Sequence, residues 1–304
     1  MAGISVRAPS STANLGPGFD VFGLALDAYF DEVTLERTGG GISILSEGGI
    51  PTDPDRNTAG IVARVMMERF GITGGVEIRI RKGVPVGFGM GSSAASAAAA
   101  AVAFDGLFDL GLDGDTLVEC AGAGERASAG AVHYDNVAAS VLGGFVIVRT
   151  GPLSVIRVDP PEDLVLCVAI PEMDVPPKKT QVSRGAVPER IAMADGVRNL
   201  ANAAAMVAGF LRGEPEVIGS AIQDVIVEPA RKHMIPGFDR VKGDALGAGA
   251  LGVTISGAGP SVIALLAGSA DSGAVADAMR GGFSSAGLGC RTVICGPSGG
   301  ARPV

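Results

Sequence analysis

The chain has 304 residues, of which 47% are hydrophobic and 4% aromatic, and it carries a formal net charge of −8 at pH 7. That length is sufficient for two domains of ordinary size, each with its own core. The acidic balance and the absence of Trp argue against a nucleic-acid partner, which would need a basic face and aromatic stacking surfaces.

No CxxC pair occurs among the four cysteines, which are Cys120, Cys167, Cys290 and Cys295. This scatter predicts reduced thiols in a cytoplasmic protein, and with only two histidines a zinc site is not expected. The N-terminal segment has no apolar run of the signal-peptide type. Two uncharged stretches, 84–104 and 245–270, are rich in Gly, Ala and Ser, so we expect no membrane span.

The first half of the chain alternates between predicted strands and helices. A short first strand leads into a Gly/Pro loop and then a second apolar segment. Alternating apolar residues predict strands at residues 31–37, 41–45, 76–82 and 143–150. Helical spacing predicts helices at residues 58–71 and 115–130. The segment HYDNVAAS (133–140) is predicted to be a polar turn.

A glycine-spaced loop, two serines and an alanine run follow the third of these strands, in the order GVPVGFGMGSSAASAAAAAVAF (83–104). Gly87, Gly89 and Gly91 can adopt positive φ and approach a ligand closely. Ser92 and Ser93 are predicted as N-cap residues, and the alanines after them are strong helix formers. Unpaired N–H groups and the helix dipole at such a helix start favour an anion, most often a phosphate.

The second half begins after a stretch of prolines and charges at 151–162, which predicts a boundary between domains at residues 1–155 and 156–304. A buried strand at 164–171 and a loop-rich basic stretch at 172–189 follow it. The rest of the half is predicted to contain a helix at 190–212, two strands across a glycine turn within 252–268, and a final helix and strand. The fold class that this order predicts is α+β in two lobes.

Three alternatives compete for the glycine loop. A Walker A loop is excluded because no Lys follows any of these glycines. The segment 89–94 matches the dinucleotide pattern GxGxx[GA], but no acid-tipped strand lies about 20 residues further on, as that fold requires. The third alternative is a helix start whose small residues serve only close packing.

Four segments in order resemble the GHMP kinases, the superfamily that includes galactokinases and mevalonate kinases. They are PVGFGMGSSAA (85–95), RAPSSTANLGPGFDVFGLAL (7–26), HYDNVAASVLGGF (133–145), with Ala where proline is common, and GVTISGAGPSVIAL (252–265). The segments at 7–26 and 133–145 are closest to the branch that acts on L-homoserine. The resemblance spans almost the whole chain. It implies a ribosomal-S5-like N-terminal domain, a ferredoxin-like C-terminal domain and a site between them.

The resemblance also implies that ATP and Mg²⁺ bind here. The ATP-binding residues it implies are Asn57, on the adenine side, and Pro85, Gly87, Gly89, Met90, Gly91, Ser92, Ser93, Ala94 and Ala95. The protein ligands of Mg²⁺ would be the Ser93 hydroxyl and the Glu125 carboxylate, in keeping with the preference of this ion for oxygen. Without the resemblance, Glu125 is more simply a solvated helix carboxylate and Asn57 a helix N-cap.

For the acceptor, the resemblance implies L-homoserine, phosphorylated on its hydroxyl to O-phospho-L-homoserine in threonine biosynthesis. Asp20 and Asn14 would meet its amine and hydroxyl, and His133 would lie near it. Arg184 and Arg231 would bind its carboxylate, a task that suits the planar guanidinium.

Two schemes are open for the transfer itself. Asn136 and Asp20 could orient the hydroxyl without a base, which a loose transition state favours, or Asp135 could act as the base. Another small alcohol, such as mevalonate, shikimate or a sugar, is the alternative acceptor. A non-catalytic metabolite-binding regulator is the alternative class. By resemblance we also expect a homodimer.

Overall fold

The computed structural model describes residues 3–47, 49–129, 133–176 and 179–304. Its strands are β1 (Ile4–Asn14), β2 (Gly18–Thr38), β3 (Gly41–Glu47), β4 (Gly75–Arg81), β5 (Phe145–Arg149), β6 (Ser154–Val158), β7 (Leu164–Pro171), β8 (Gly252–Ile255), β9 (Val262–Ala267), β10 (Cys290–Cys295) and β11 (Arg302–Pro303). Its α-helices are α1 (Thr58–Arg69), α2 (Ser92–Phe108), α3 (Gly114–Ala129), α4 (Tyr134–Leu142), α5 (Lys179–Gly185), α6 (Met193–Arg212), α7 (Pro215–Ser220), α8 (Val227–Arg231), α9 (Phe238–Gly247) and α10 (Ser272–Ser285).

The N-terminal lobe is a seven-stranded sheet covered by α1 to α4. Its main path runs β11-β1-β2-β4-β3, with β5 joining β2 to β6, and only the β3–β4 pair is parallel. Helix α2 lies between this sheet and the other helices of the lobe, and most of its alanines have no exposed surface. Alanine suits this central position because it favours the helix and leaves no bulk between close neighbours.

The C-terminal lobe is a four-stranded antiparallel sheet in the order β10-β7-β9-β8. Side chains of β7 alternate between two cores, as the period of a strand requires. Leu166 and Val168 face the core shared with α6 and α7, whereas Cys167 and Ala169 face the core formed with α9 and α10. Helices connect β7 to β8 and β9 to β10. This β-α-β-β-α-β order confirms the predicted α+β class and the ferredoxin-like second lobe.

Two local predictions were wrong, and a third was incomplete. The predicted Gly/Pro loop is much shorter, because β1 continues to Asn14 and only residues 15–17 separate it from β2. The predicted polar turn at 133–140 lies in α4, where Val137 and its neighbours are buried against α2 and β2. Tertiary burial decides the conformation of such a short polar segment. The loop-rich stretch at 172–189 contains α5.

The predicted division at residues 155 and 156 lies inside β6, which hydrogen-bonds to β5 of the N-terminal sheet from Ser154 to Val158. After β10 the chain returns to the first lobe, where β11 pairs with β1 at Val6 and Arg7. The numerical boundary remains a prediction. Among the described helices, none combines the length and apolar character needed to cross a bilayer.

Candidate active site

A cleft of about 470 Å³ lies where the two lobes meet. The N-terminal lobe contributes the β1–β2 turn, the glycine loop before α2, and the starts of α2 and α4. The C-terminal lobe contributes α5, α8 and the turn between β8 and β9. The cleft brings together most of the predicted site residues, namely Asn14, Asp20, Gly87, Gly89, Met90, Gly91, Ser92, Ser93, Ala94, Glu125, His133, Asp135, Asn136, Arg184 and Arg231.

The start of α2 lines one end of this cleft and carries a set of backbone donors. The N-cap is Gly91, in the left-handed conformation at φ +67°, with no side-chain cap. The predicted N-cap role of Ser92 and Ser93 was therefore wrong, because both lie inside the first helical turn. Ala95 N–H donates to the Gly91 carbonyl at 2.8 Å and closes the first helical hydrogen bond. The N–H groups before it have no intrahelical acceptor, which makes this end an anion site.

Glycine is required at position 89 by both its backbone conformation and its neighbours. Its φ is +76°, and an added Cβ would lie 2.7 Å from the Gly259 carbonyl oxygen in the β8–β9 turn. The Ser256 hydroxyl also donates to the Gly89 carbonyl at 2.8 Å. The phosphate loop of one lobe thus packs directly against the backbone of the other.

A buried polar network holds the glycine loop from below. The Asp31 carboxylate accepts the N–H groups of Gly83 and Val84 at 3.0 Å each and pairs with the Lys82 ammonium. Lys82 also donates to the Ser92 carbonyl at 2.8 Å, and the Ser92 hydroxyl donates to the Val84 carbonyl at 3.0 Å. Burial lowers the pKa of Lys82, and the charge of Asp31 opposes that effect. Both ends of the loop are therefore fixed before any ligand binds.

Ser93 and Glu125 form a polar pair beside the start of α2. The Ser93 hydroxyl donates to Glu125 Oε1 at 2.6 Å, and the Glu125 side chain is buried. Burial raises the pKa of Glu125, while the bond from Ser93 acts in the opposite direction. A buried carboxylate next to a hydroxyl fits a divalent cation, whose charge would offset the desolvation. Within the described ranges no cluster of three or more His, Cys, Asp or Glu side chains forms a metal site.

The other end of the cleft holds an ion pair between the lobes. Arg184 Nη2 donates to both carboxylate oxygens of Asp20, at 2.7 and 2.8 Å, and contacts His133 Nδ1 at 2.8 Å. Burial, followed by the charge of Arg184, lowers the pKa of His133. The neutral ring accepts at Nδ1 and carries its proton on Nε2, which is buried and has no hydrogen-bond partner among the residues that the structure describes. The β1–β2 turn supports this arrangement, since Asn14 and Asp20 both have positive φ and Asn14 Oδ1 accepts Asp20 N–H at 3.2 Å.

Arg231 lies deeper, next to the same ion pair. Its Nε donates to the Ser183 carbonyl at 2.9 Å, and only 5% of the residue is exposed. Burial and the nearby charge of Arg184 lower its pKa. The ring of Phe19 lies about 5 Å from both guanidinium groups (5.0 Å for Arg231 and 5.2 Å for Arg184). A cation–π contact of this kind offsets part of the repulsion between two close cations.

Asp135 and Asn136 open α4 between the two ends of the cleft. Asn136 N–H donates to Asp135 Oδ1 at 2.7 Å, and the Ser11 hydroxyl donates to Asn136 Oδ1 at 2.9 Å. Asp135 is 3% exposed, and burial raises its pKa to about 7. The hydrogen bond from Asn136 lowers this pKa, whereas the charges of Asp20 and Glu125 raise it further.

Three predicted residues lie outside the lining of the cleft. Asn57 is the N-cap of α1: its Oδ1 accepts Ala59 N–H at 3.0 Å and its Nδ2 donates to the Pro51 carbonyl at 2.6 Å. Its contact with adenine stays a prediction. Pro85 and Ala95 shape the loop and the helix start behind the lining residues.

Several lining residues were not predicted, among them Phe19, Val175, Pro176, Lys179 and Thr180. Phe19 lies within a segment that carried the resemblance, yet an aromatic there is also an ordinary core residue. Lys179 and Thr180 belong to the basic stretch at 172–189. The positive charge of this stretch was the one sequence feature that pointed to an anionic ligand, because nothing in the sequence indicates which loop α5 would approach.

Comparisons with known proteins identify the family to which the chain belongs. Residues 57–144 match the GHMP kinases N-terminal domain, and residues 206–285 match the GHMP kinases C-terminal domain. A homoserine kinase from Pyrobaculum neutrophilum is 41% identical over 298 residues, or 97% of this chain and 99% of that protein. One from Methanopyrus kandleri is 47% identical over 263 residues, 86% of each. The crystal structure of homoserine kinase from Cytophaga hutchinsonii has a TM-score of 0.91 and 38% identity, covering 100% of this chain and 98% of that one.

The chain belongs to the GHMP kinases, which confirms the resemblance carried by the glycine loop and the three other segments. Within that class, the relatives that match it along most of their length are homoserine kinases.

Proposed function

We propose that this protein is an ATP- and Mg²⁺-dependent homoserine kinase, which phosphorylates the hydroxyl of L-homoserine to O-phospho-L-homoserine in threonine biosynthesis. The observation that carries the proposal is the pairing of two sites in one cleft. The anion site at the start of α2 faces the same space as Asp20, Arg184 and Arg231, charges that suit an amino acid. Relatives of this name match the chain along nearly its whole length.

At the phosphate end, the N–H groups of the glycine loop and of the first turn of α2 bind the triphosphate. Ser93 and Glu125 would hold Mg²⁺ through their oxygen atoms, the ligand type that this ion prefers. When bound, Mg²⁺ neutralises charge that accumulates on the phosphate oxygens. The Asp31–Lys82 network keeps the loop in place, so binding requires little reorganisation of the backbone.

At the acceptor end, the zwitterion of L-homoserine replaces the ion pair between Asp20 and Arg184 charge for charge. Its ammonium binds the Asp20 carboxylate, and its carboxylate binds the guanidinium groups of Arg184 and Arg231. The Nε2 proton of His133, which meets no acceptor within the described ranges, is a further donor to the acceptor substrate. Such an exchange leaves no buried charge without a partner, which is the usual penalty when a charged ligand enters a protein.

The acceptor hydroxyl is oriented by Asn136 and Asp20, with Asn14 holding the Asp20 backbone. In a loose phosphoryl-transfer transition state the nucleophile gains little from early loss of its proton. Positioning in line with the γ-phosphate therefore contributes more than a base does. The alternative is that Asp135 removes the proton, and its substitution separates the two schemes.

Release of ADP over a panel of acceptors tests the function. With MgATP, we expect turnover on L-homoserine and little on mevalonate, shikimate or galactose, and we expect chelation of Mg²⁺ to abolish it. The Asp20→Asn variant removes the charge that meets the ammonium, so kcat/KM for L-homoserine should fall by about tenfold or more. Turnover on another alcohol but not on homoserine would overturn the acceptor. No ADP release on any acceptor would favour a regulator.

We further propose that the protein forms a homodimer through the outer face of α6. Four large apolar side chains on this helix are exposed: Met193 (82%), Val197 (57%), Leu200 (70%) and Leu211 (67%). Positions 4, 7 and 18 residues after Met193 return to one side of an α-helix, so the four form a stripe opposite the buried Met206 and Phe210. In an antiparallel pair about a two-fold axis, Met193 of one copy faces Leu211 of the other. An isologous contact of this type uses the same surface on both copies and therefore gives a closed dimer.

The compartment that we propose is the cytoplasm. All four cysteines are free thiols in the structure, and thiols persist in reducing compartments. Burial raises the pKa of each of them, which limits their oxidation through the thiolate.

A further inference from the structure

Lys179 connects the two glycine segments that meet across the cleft. Its ammonium donates to the Gly87 carbonyl at 2.8 Å, in the phosphate loop, and also to the Gly259 carbonyl in the β8–β9 turn. The side chain comes from α5 of the C-terminal lobe and lines the cleft together with Gly89, Gly91 and Ser93. A cation from one lobe therefore reaches the anion site of the other.

The charge of Lys179 is only partly satisfied in this position. None of the ion pairs formed by the described residues includes it, and the like charge of Arg231 acts to lower its pKa. Burial lowers its pKa to about 8. Two carbonyl dipoles stabilise a buried ammonium less than an anion does. An anion that arrives beside Gly87 offers Lys179 a stronger partner than either carbonyl.

The phosphate loop lacks a lysine of its own. In P-loop proteins, a lysine at the end of the loop reaches the terminal phosphates. Here the loop runs from Gly87 to Ser93 without a basic residue. The lysine that precedes it most closely in sequence, Lys82, lies behind the loop and forms an ion pair with Asp31. Among the described residues that line this end of the cleft, the basic group comes from α5.

We propose that Lys179 binds the terminal phosphates of the nucleotide, exchanging the Gly87 and Gly259 carbonyls for phosphate oxygens when ATP enters. This inference rests on the proposed kinase function. It also gives α5 a double task, because the same short helix carries Arg184, which contacts Asp20 at the acceptor end. Contact of Lys179 with the triphosphate thus helps to fix the helix that holds the acceptor.

Nucleotide binding without an acceptor tests the assignment. Titration calorimetry in the presence of Mg²⁺ would compare the β,γ-methylene analogue of ATP with AMP, for the wild type and for Lys179→Gln and Lys179→Arg. Loss of a charge-assisted hydrogen bond should weaken binding of the ATP analogue by about tenfold or more in Lys179→Gln, with AMP affected less than about twofold. Lys179→Arg, which keeps the charge, should recover most of the affinity.

A matched control is Lys232→Gln, which removes an exposed lysine whose partner is Asp239, outside the cleft. It should bind both nucleotides as the wild type does. If Lys179→Gln binds the ATP analogue normally, or loses the analogue and AMP equally, Lys179 only joins the two loops and the inference is overturned. A wild-type protein that binds neither nucleotide contradicts the kinase function itself, a result distinct from either of these.

Discussion

Asp135 is a carboxyl group in a place that opposes its ionisation. Burial raises its pKa to about 7, above the value near 4 of an unfolded chain. Between these two values the folded protein binds the proton that the unfolded chain releases, so stability falls as the pH rises through this window. Above pH 7 the full penalty is present. The site therefore keeps a group that lowers the stability of the fold at neutral pH.

The Asp135→Asn variant separates this penalty from catalysis. Because Asn cannot ionise, the stability of the variant relative to the wild type should increase from pH 5 to pH 8, by about 3 kcal/mol, as measured by thermal unfolding. If the hydroxyl needs no base, kcat should fall by less than about tenfold, whereas loss of a general base costs about 10²–10⁴-fold. A loss in that larger range, in a variant that remains folded, would establish Asp135 as the base.

At the scale of elements, the start of α2 depends on a residue without a side chain. Gly91 has φ +67°, and an added Cβ would collide with the Ser11 hydroxyl and lie 3.1 Å from Asn136 Oδ1. Those two groups form the hydrogen bond that orients Asn136. The conformation of the helix start and the position of a site residue are thus linked through one glycine.

Gly91→Ala should therefore abolish most activity as well as lower stability. Gly111→Ala is its matched control, since Gly111 has a similar φ of +64° but open space around its Cβ position. Both variants should lose about 1–2 kcal/mol from left-handed strain, measured by chemical denaturation, and only Gly91→Ala should lose kcat, by about tenfold or more. Equal kcat in the two variants would show that the space beside Ser11 and Asn136 does not matter for catalysis.

The elements around the cleft were predictable to different degrees. The alanine run made α2 evident, because local propensity and burial agree there. The N-cap of α2 could not be predicted, since serines are common N-cap residues and Ser92 and Ser93 were the natural candidates. The chain instead uses a left-handed glycine, Gly91, one position before Ser92. Helix α4 was missed because its polar first turn carries site residues, and its apolar face is recognised only once α2 is in place. Lys179 could not be assigned, since its role depends on contacts between lobes.

At the scale of the whole molecule, the outer face of α6 predicts an association that one substitution should break. Leu200→Glu places a charge at the centre of the apolar stripe, so the dimer should dissociate to monomers in sedimentation or light-scattering measurements at micromolar concentration. The control is Leu45→Glu, at an exposed leucine of β3 (51%) outside α6, which should leave the mass unchanged. A monomeric wild type would contradict the dimer, and a Leu200→Glu dimer would place its interface elsewhere.

Two separate backbone segments join the lobes, one between β6 and β7 and the other between β10 and β11. A body held by a single tether can swing in any direction, whereas one held at two points rotates mainly about the line between them. A hydrophobic core also runs through both lobes, and in it Phe145 of the first lobe stacks on Phe210 of the second. With two connections and a shared core, we expect the second lobe to keep Arg184 and Lys179 opposite the same partners in the first lobe, Asp20 and the Gly87 carbonyl.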